Sequence, residues 1–405
     1  GQRDQFQQLA RQLKDYPLYV YLRYDELRPR LARAEDAEIL EFLEQYPDFP
    51  HADSVRQAWL QRLAHHGRWT MYLEHFGDQQ GAKLRCLKLQ AQIKTGSMDG
   101  FADTAKDLWL VGKSQIDECD PVFAHMRQTG LLDDELILER LRLALANNQT
   151  GLANYLTRQL SGDAQNRARH WISMHQNPDA GTANPILADN LRARELLTYG
   201  IRRLARINLD RALQRWPLLQ KDYTFTPEQQ HQVSYEFAIQ AVRGKHDQAA
   251  GLLARVPPGN VDGEIFIYQL RHALNTGNWR QLRDWTDGEP PEDIDKNQWY
   301  YWHARALEEL GETESARNLY RELAAERDYY GFLAADRFGA EYQMNHVRLP
   351  VSAEQRERVA QIPGIQRAFE FKALGEQYSA RREWHNVLKY MTSLQIQIAA
   401  QLAAD

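Results

Sequence analysis

The sequence predicts an all-α fold, a superhelical solenoid of stacked helix hairpins that is tetratricopeptide-like in its C-terminal part. Three observations lead there. Apolar residues recur at offsets of three and four through most of the 405 residues, the spacing that lines one face of an α-helix. Strand-like alternation of apolar and polar residues is scarce. Short turns carrying Gly or Asn separate the helices, and the last of them, at Gly244, Gly277 and Gly311, fall 33 and 34 residues apart, the period of a helix-turn-helix repeat.

In chain order, residues 6–13 read as a first helix and DYPLYVYLRYDEL from Asp15 as the next, with Pro17 placed to start a helix rather than break one. Tyr16, Tyr19, Tyr21 and Tyr24 can serve as a sugar-stacking platform or as aromatic packing between helices. Packing is the reading we prefer, because aromatics at helical spacing ordinarily fill a core. Helices over 39–46 and 55–63 come next, separated by Pro47 and Pro50, and Gly67 closes that unit before Trp69 opens another. The same device recurs at Gly96, Gly151, Gly244, Gly277 and Gly311, with a weaker copy near Trp384. Pro178, Pro185, Pro217 and Pro227 mark turns inside the array, not domain borders. Residues 298–342 form the clearest unit. Trp299, Trp302, Ala306 and Leu310 share a helix face, Gly311 stops that helix, and Ala316, Leu319, Tyr320 and Leu323 rebuild a stripe before a further helix over 330–339. Such a hairpin has two faces to bury and one partner within itself, so it needs a neighbour on each side.

Composition narrows the function classes. The net charge is -5 with the signs interspersed, so no polyanion or anionic membrane is called for, and a nucleic-acid partner is not expected. No apolar run approaches the roughly 20 residues that span a bilayer. There is no phosphate-binding GxxxxGK[ST], no GxGxxG after a strand, no GxSxG and no HExxH. We therefore expect no catalytic residue, no metal and no organic cofactor in this chain. His65 and His66 are adjacent, which points their side chains about 100° apart on a helix. Glu308 with Glu309, and Asp133 with Asp134, read as solvated helix faces or helix starts rather than as an acid-base pair. A basic run, Arg192, Arg194, Arg202, Arg203, Arg206, Arg211 and Arg215, is interleaved with Leu and Ala. Arginine forks bind carboxylates and phosphates, so Arg202 and Arg206, on one helical face, are candidates for polymer contact; the competing reading is a solvated or internally paired face. Cys86 lies in a helical run and Cys119 in a polar loop. They can form a staple, or remain two free thiols in a reducing compartment.

Four stretches, LKDYPLYVYLRYDEL, AKDLWLVGKSQIDECDPVF from Ala105, LERLRLALANNQTGLA from Leu138, and QWYYWHARALEELGETESARNLYRELAAERDYYGFLAADRFGAEY from Gln298, resemble the N-terminal region of the soluble lytic transglycosylases. The resemblance covers most of the chain, more weakly over 160–295. It implies a U-shaped or ring-forming architecture, with a superhelical U domain over 1–348 and, over 349–405, the start of the helical linker domain that closes the U into a ring, with helices from Glu354, Ile365 and Trp384. It also implies a periplasmic location, an oxidising compartment, and hence a Cys86–Cys119 disulfide.

The family's chemistry rests on a lysozyme-like domain with a Glu-Ser pair, a Gly-Leu-Met-Gln segment and an Ala-Tyr-Asn-Ala-Gly segment. Here the lone Glu-Ser pair is Glu314-Ser315, in the hairpin turn after Gly311 and without that context. The chain also stops inside a helical pattern, at QIAAQLAAD. What the resemblance implies is the non-catalytic scaffold and substrate-positioning region of a peptidoglycan lytic transglycosylase, inactive alone. The parent enzyme would cleave MurNAc-GlcNAc bonds to 1,6-anhydro products. Glycan strands, the missing catalytic domain and cell-wall synthases are its implied partners. The alternative is a stand-alone helical-repeat module that grips another protein.

Overall fold

The computed structural model describes residues 10, 12–183, 185–256, 261–345 and 350–404. Among these described residues every regular element is a helix. The helix expected over 6–13 falls largely outside the described residues, as do positions 348 and 349 on either side of the expected domain division. The chain groups into two compact units, Gly1–Leu143 with Arg348–Asp405, and Ala144–Val347.

In the first unit, Tyr19–Leu27, Asp36–Gln45, Ala52–His65, Trp69–Glu74 and Ala82–Thr95 enclose a core built on Ile39, Phe42, Val55, Trp59, Leu60 and Tyr72. Of the four tyrosines, Tyr21 and Tyr24 pack against this core. Tyr21 meets Phe49 and Phe371 edge-on, each at 4.9 Å between ring centroids, and Tyr24 stacks on His51 at 4.9 Å. Cys86 in Ala82–Thr95 is bonded to Cys119 in the short 3-10 turn Asp117–Cys119, closing a segment of 33 residues. The C-terminal helices Ala353–Ala360, Pro363–Ala373, Gln377–Val387 and Ser393–Ala404 share a small core of Val359, Ile365, Val387 and Ile398. Gly364 lets two of them approach closely, since a Cβ there would lie 2.7 Å from Cβ of Val387. Trp384 sits inside the Gln377–Val387 helix and does not begin one. The turn is earlier, at Gly375, whose φ is +80°.

The second unit contains the clearest hairpin, Lys296–Glu309 and Thr313–Leu323, with Tyr329–Phe338 after it. Gly311, at φ +83°, makes the reversal that an L side chain would strain. The first helix buries two faces. Tyr301, Ala304 and Leu307 pack forward on Ala316, Tyr320 and Leu323. Ala306, with Trp302 beside it, packs backward on Leu270, Ala273 and Leu282 of the preceding hairpin, and Trp299 rests against Phe266 at 4.9 Å. The stacking expected of a repeat is thus seen side chain by side chain.

Two details of the punctuation differ from expectation. Pro217 lies inside the Leu209–Asp222 helix and does not mark a turn. Its ring removes the bond to the Leu213 carbonyl, a cost of about 3 kcal/mol in a helix interior. It is tolerated because Pro217 faces solvent, where water can take up that carbonyl, while Trp216 and Leu219 hold the opposite side in the core. Pro178 and Pro227 instead begin helices, Pro227 behind a Thr226 and Gln229 capping box. At two of the expected glycine turns the left-handed residue is a neighbour: Asn148, at φ +55°, not Gly151, and Lys245, at φ +54°, not Gly244.

Candidate functional site

The arginine-rich stretch folds mainly into the Leu191–Ile207 helix, started by Asn190, whose side chain accepts from the amide of Ala193. Leu196, Leu197, Ile201 and Leu204 form its buried face. Tyr199, Arg202, Arg203 and Arg206 recur at offsets of three and four on another face. With Leu145 and Ala146 they line a small open pocket of about 90 Å³.

One carboxylate organises these arginines. Glu236, 5% exposed on the Pro227–Arg243 helix, accepts from Arg206 Nε at 2.8 Å and Nη2 at 2.5 Å, and from Gln240 Nε2 at 2.9 Å. Arg202 Nε is 3.6 Å away, an ion-pair distance, and as a buried donor finds no hydrogen-bond partner. Burial pushes the Glu236 carboxyl up, but the bonds from Arg206 and Gln240 and the charges of both arginines outweigh it and hold it below the usual carboxylate range. Arg203 donates from Nε to the His175 carbonyl at 2.5 Å and from Nη1 to Asn148 Oδ1 at 3.0 Å. The Tyr199 hydroxyl is 2.5 Å from His175 Nδ1, and its ring lies 5.1 Å from that of Trp171. Elsewhere in the run, Arg194 pairs with Asp189 at 3.4 Å, and Arg211 and Arg215 share Asp179 at 3.4 and 3.1 Å. Sequence reasoning missed Glu236, Tyr199 and the pocket. One signal was legible: Glu236 is a lone acid beside Val233, Phe237 and Ile239, all buried.

A second constellation joins the C-terminal helices of the first unit to its N-terminal ones. Arg367 and Glu383, 3% and 0% exposed, face each other with Nε 3.0 Å from Oε2, a contact with the distance but not the angles of a hydrogen bond. Arg367 Nη2 also reaches Asp48 Oδ2 at 2.9 Å. Tyr21 donates to Glu383 Oε1 at 2.7 Å, Tyr16 to Glu370 at 2.8 Å, and Asn386 to the Asp48 carbonyl at 2.6 Å. Burial raises the Glu383 carboxyl above its ordinary range despite the opposing Arg367 charge and Tyr21 bond. The family-like LWLVGKSQ segment is also held from inside. Trp109 Nε1 donates to the Leu136 carbonyl at 3.1 Å, and the Arg140 guanidinium lies 4.2 Å from the centre of its ring.

The remaining candidates are dispersed. Glu314 sits in the exposed first turn of Thr313–Leu323. Glu308 differs from expectation: half-buried, it accepts from Tyr320 at 2.8 Å and pairs with Arg305, so it belongs to the hairpin's own packing. Asp133 caps a helix start, accepting from the Leu136 amide at 2.8 Å. His65 and His66 are exposed at the end of Ala52–His65.

Residues 358–405 match the profile of the soluble lytic murein transglycosylase L domain. Over 393 residues the chain is 29% identical to the soluble lytic murein transglycosylase of Escherichia coli strain K12, covering 96% of this chain and 60% of that protein. The relation is as close, 29% over 395 residues with the same coverage, to that of Salmonella typhimurium strain LT2. Superposition on the lytic transglycosylase Slt of Pseudomonas aeruginosa, solved as an inactive mutant, gives a TM-score of 0.80 at 30% identity, over 97% of this chain and 64% of that one. The chain is homologous to the soluble lytic murein transglycosylases. The 70-kDa enzyme of E. coli gives the same TM-score, 0.80, at 27% identity over 98% of this chain and 64% of that one. Relative to the curated soluble lytic transglycosylases it matches, the chain spans about 60% of their length. No helix among the described residues is long and apolar enough to cross a membrane.

Proposed function

We propose that this chain is the non-catalytic scaffold and substrate-positioning region of a periplasmic peptidoglycan lytic transglycosylase. The observation that carries the reading is colinearity: 96% of the chain aligns with only 60% of its relatives, with the L-domain profile in its last residues. On this reading the chain divides near residue 348 into a superhelical domain and the start of the linker domain. It holds glycan strands and their peptide stems for a lysozyme-like domain, which cleaves MurNAc-GlcNAc bonds to 1,6-anhydro products. Arg202 and Arg206 contribute contacts to stem carboxylates, for which guanidinium forks are suited. The test is to incubate the chain with purified sacculi and examine the soluble fraction by mass spectrometry. No muropeptides are expected; release of anhydro-muropeptides by this chain alone would overturn the assignment.

A further inference from the structure

Positive charge in excess of its internal counterpart collects around the Tyr199 pocket. Arg206 commits Nε and Nη2 to Glu236. Arg202 stands 3.6 Å from the same carboxylate with its Nε buried and unpartnered. Arg203 spends its bonds on two neutral acceptors, the His175 carbonyl and the Asn148 side chain. Among the described residues around the cavity, therefore, Arg202, Arg203 and Arg206 are opposed by Glu236. Arg202 and Arg206 nevertheless keep 33% and 49% of their side-chain surface exposed, which leaves positive surface for a ligand anion to meet.

The walls narrow the choice of anion. Glu236, itself held by Gln240, fixes Arg206 from behind, so its fork is set before anything binds. Tyr199 is held by His175 and Trp171 and forms a rigid flank. Leu145 and Ala146 supply an apolar side, and about 90 Å³ admits a small group well beyond the single water that needs roughly 10–15 Å³. A planar anion carrying one short aliphatic substituent fits this combination better than a bare, fully hydrated oxyanion.

We propose that the pocket of Leu145, Ala146, Tyr199, Arg202, Arg203 and Arg206 binds the C-terminal carboxylate of a short peptide ending in a small apolar residue. The carboxylate lies against Arg202 and Arg206, with Arg203 beside them, and the side chain lies on Leu145 and Ala146. Glu236 is a positioning residue that aims Arg206. This deepens the Arg202 and Arg206 contact proposed above and rests on it for the ligand's biological source. A soluble probe tests it, so its failure leaves the scaffold reading standing. Loss of sacculus binding with probe binding intact would count against the scaffold reading alone.

The probes are N-acetylalanine, its uncharged amide and inorganic phosphate, titrated calorimetrically at low ionic strength into the full chain. The acid is expected to bind and the amide to bind about ten-fold more weakly or less, as loss of a charge-assisted contact implies. Arg202→Gln should weaken the acid by about ten-fold and Arg202→Lys by less. Arg283→Gln, which alters an exposed pair with Asp284 and Glu312, should leave it unchanged. Equal binding of acid and amide, no binding of either, phosphate binding tighter than the acid, or full binding by a folded Arg202→Gln protein would each overturn the proposal. If Arg202→Gln does not fold, the acid and amide comparison on the unaltered protein decides.

Discussion

Replacing Arg367 by Met removes the cation that faces Glu383. The carboxylate is fully buried, and Tyr21 would remain to solvate it, through a single bond at 2.7 Å. Breaking a buried pair from one side in this way costs roughly 3 to 5 kcal/mol, because the surviving charge has neither water nor a counterion. The sign with pH follows from the raised Glu383 carboxyl. A folded-state pKa above the unfolded one gives stability that is fully present below the unfolded pKa and lost as pH rises through the folded pKa. Removing Arg367 raises the folded pKa further, so the variant's deficit should be small in mild acid and grow toward neutral and alkaline pH. Urea unfolding at a series of pH values, with hydrogen exchange of residues 363–387 as the local readout, measures both size and slope. The double variant Arg367→Met with Glu383→Met should recover most of the loss, since a pair replaced by apolar residues of similar volume is often neutral. A deficit under about 0.5 kcal/mol, or one that does not change with pH, would refute this reasoning.

Three further outcomes are expected. Reducing the Cys86–Cys119 bond should lower the stability of the first unit by roughly 3 to 4 kcal/mol by the chain-entropy model for its 33-residue loop, read from denaturation with and without reductant; coincident curves would contradict it. Gly364→Ala should destabilise by about 1 to 3 kcal/mol through overpacking on Val387, and pairing it with Val387→Ala should recover part of that in thermal unfolding. Leu307→Ala should cost about 2 to 5 kcal/mol, because Leu307 is buried between the two helices of its hairpin. In the same assay Glu314→Gln, on an exposed turn, should stay within about 0.5 kcal/mol.

Helix periodicity was legible because it is local. Trp299, Ala306, Ala316 and Tyr320 occupy the buried positions their spacing predicts. Tyr301 and Ala304 were not anticipated, because which second face a helix buries depends on what stacks beside it. Turn chemistry was only partly readable: Asn148 and Lys245 took the left-handed conformation that nearby glycines would have taken more cheaply. Pro217 shows packing on one side of a helix overriding a local breaker on the other. Long-range pairings left no trace in the chain order. Tyr21 and Glu383 are 362 residues apart, and Arg206 and Glu236 are 30 apart. The basic run was visible as composition, but only the fold shows that Arg206 is committed to Glu236 while Arg202 Nε lacks a hydrogen-bond partner.

Cosedimentation of the chain with purified sacculi at low and moderate salt tests the scaffold role most directly. The chain is expected to pellet with the sacculi saturably and to be displaced by soluble glycan strands that carry peptide stems. A chain that stays in the supernatant at every salt concentration, while remaining folded, would contradict the role assigned to it.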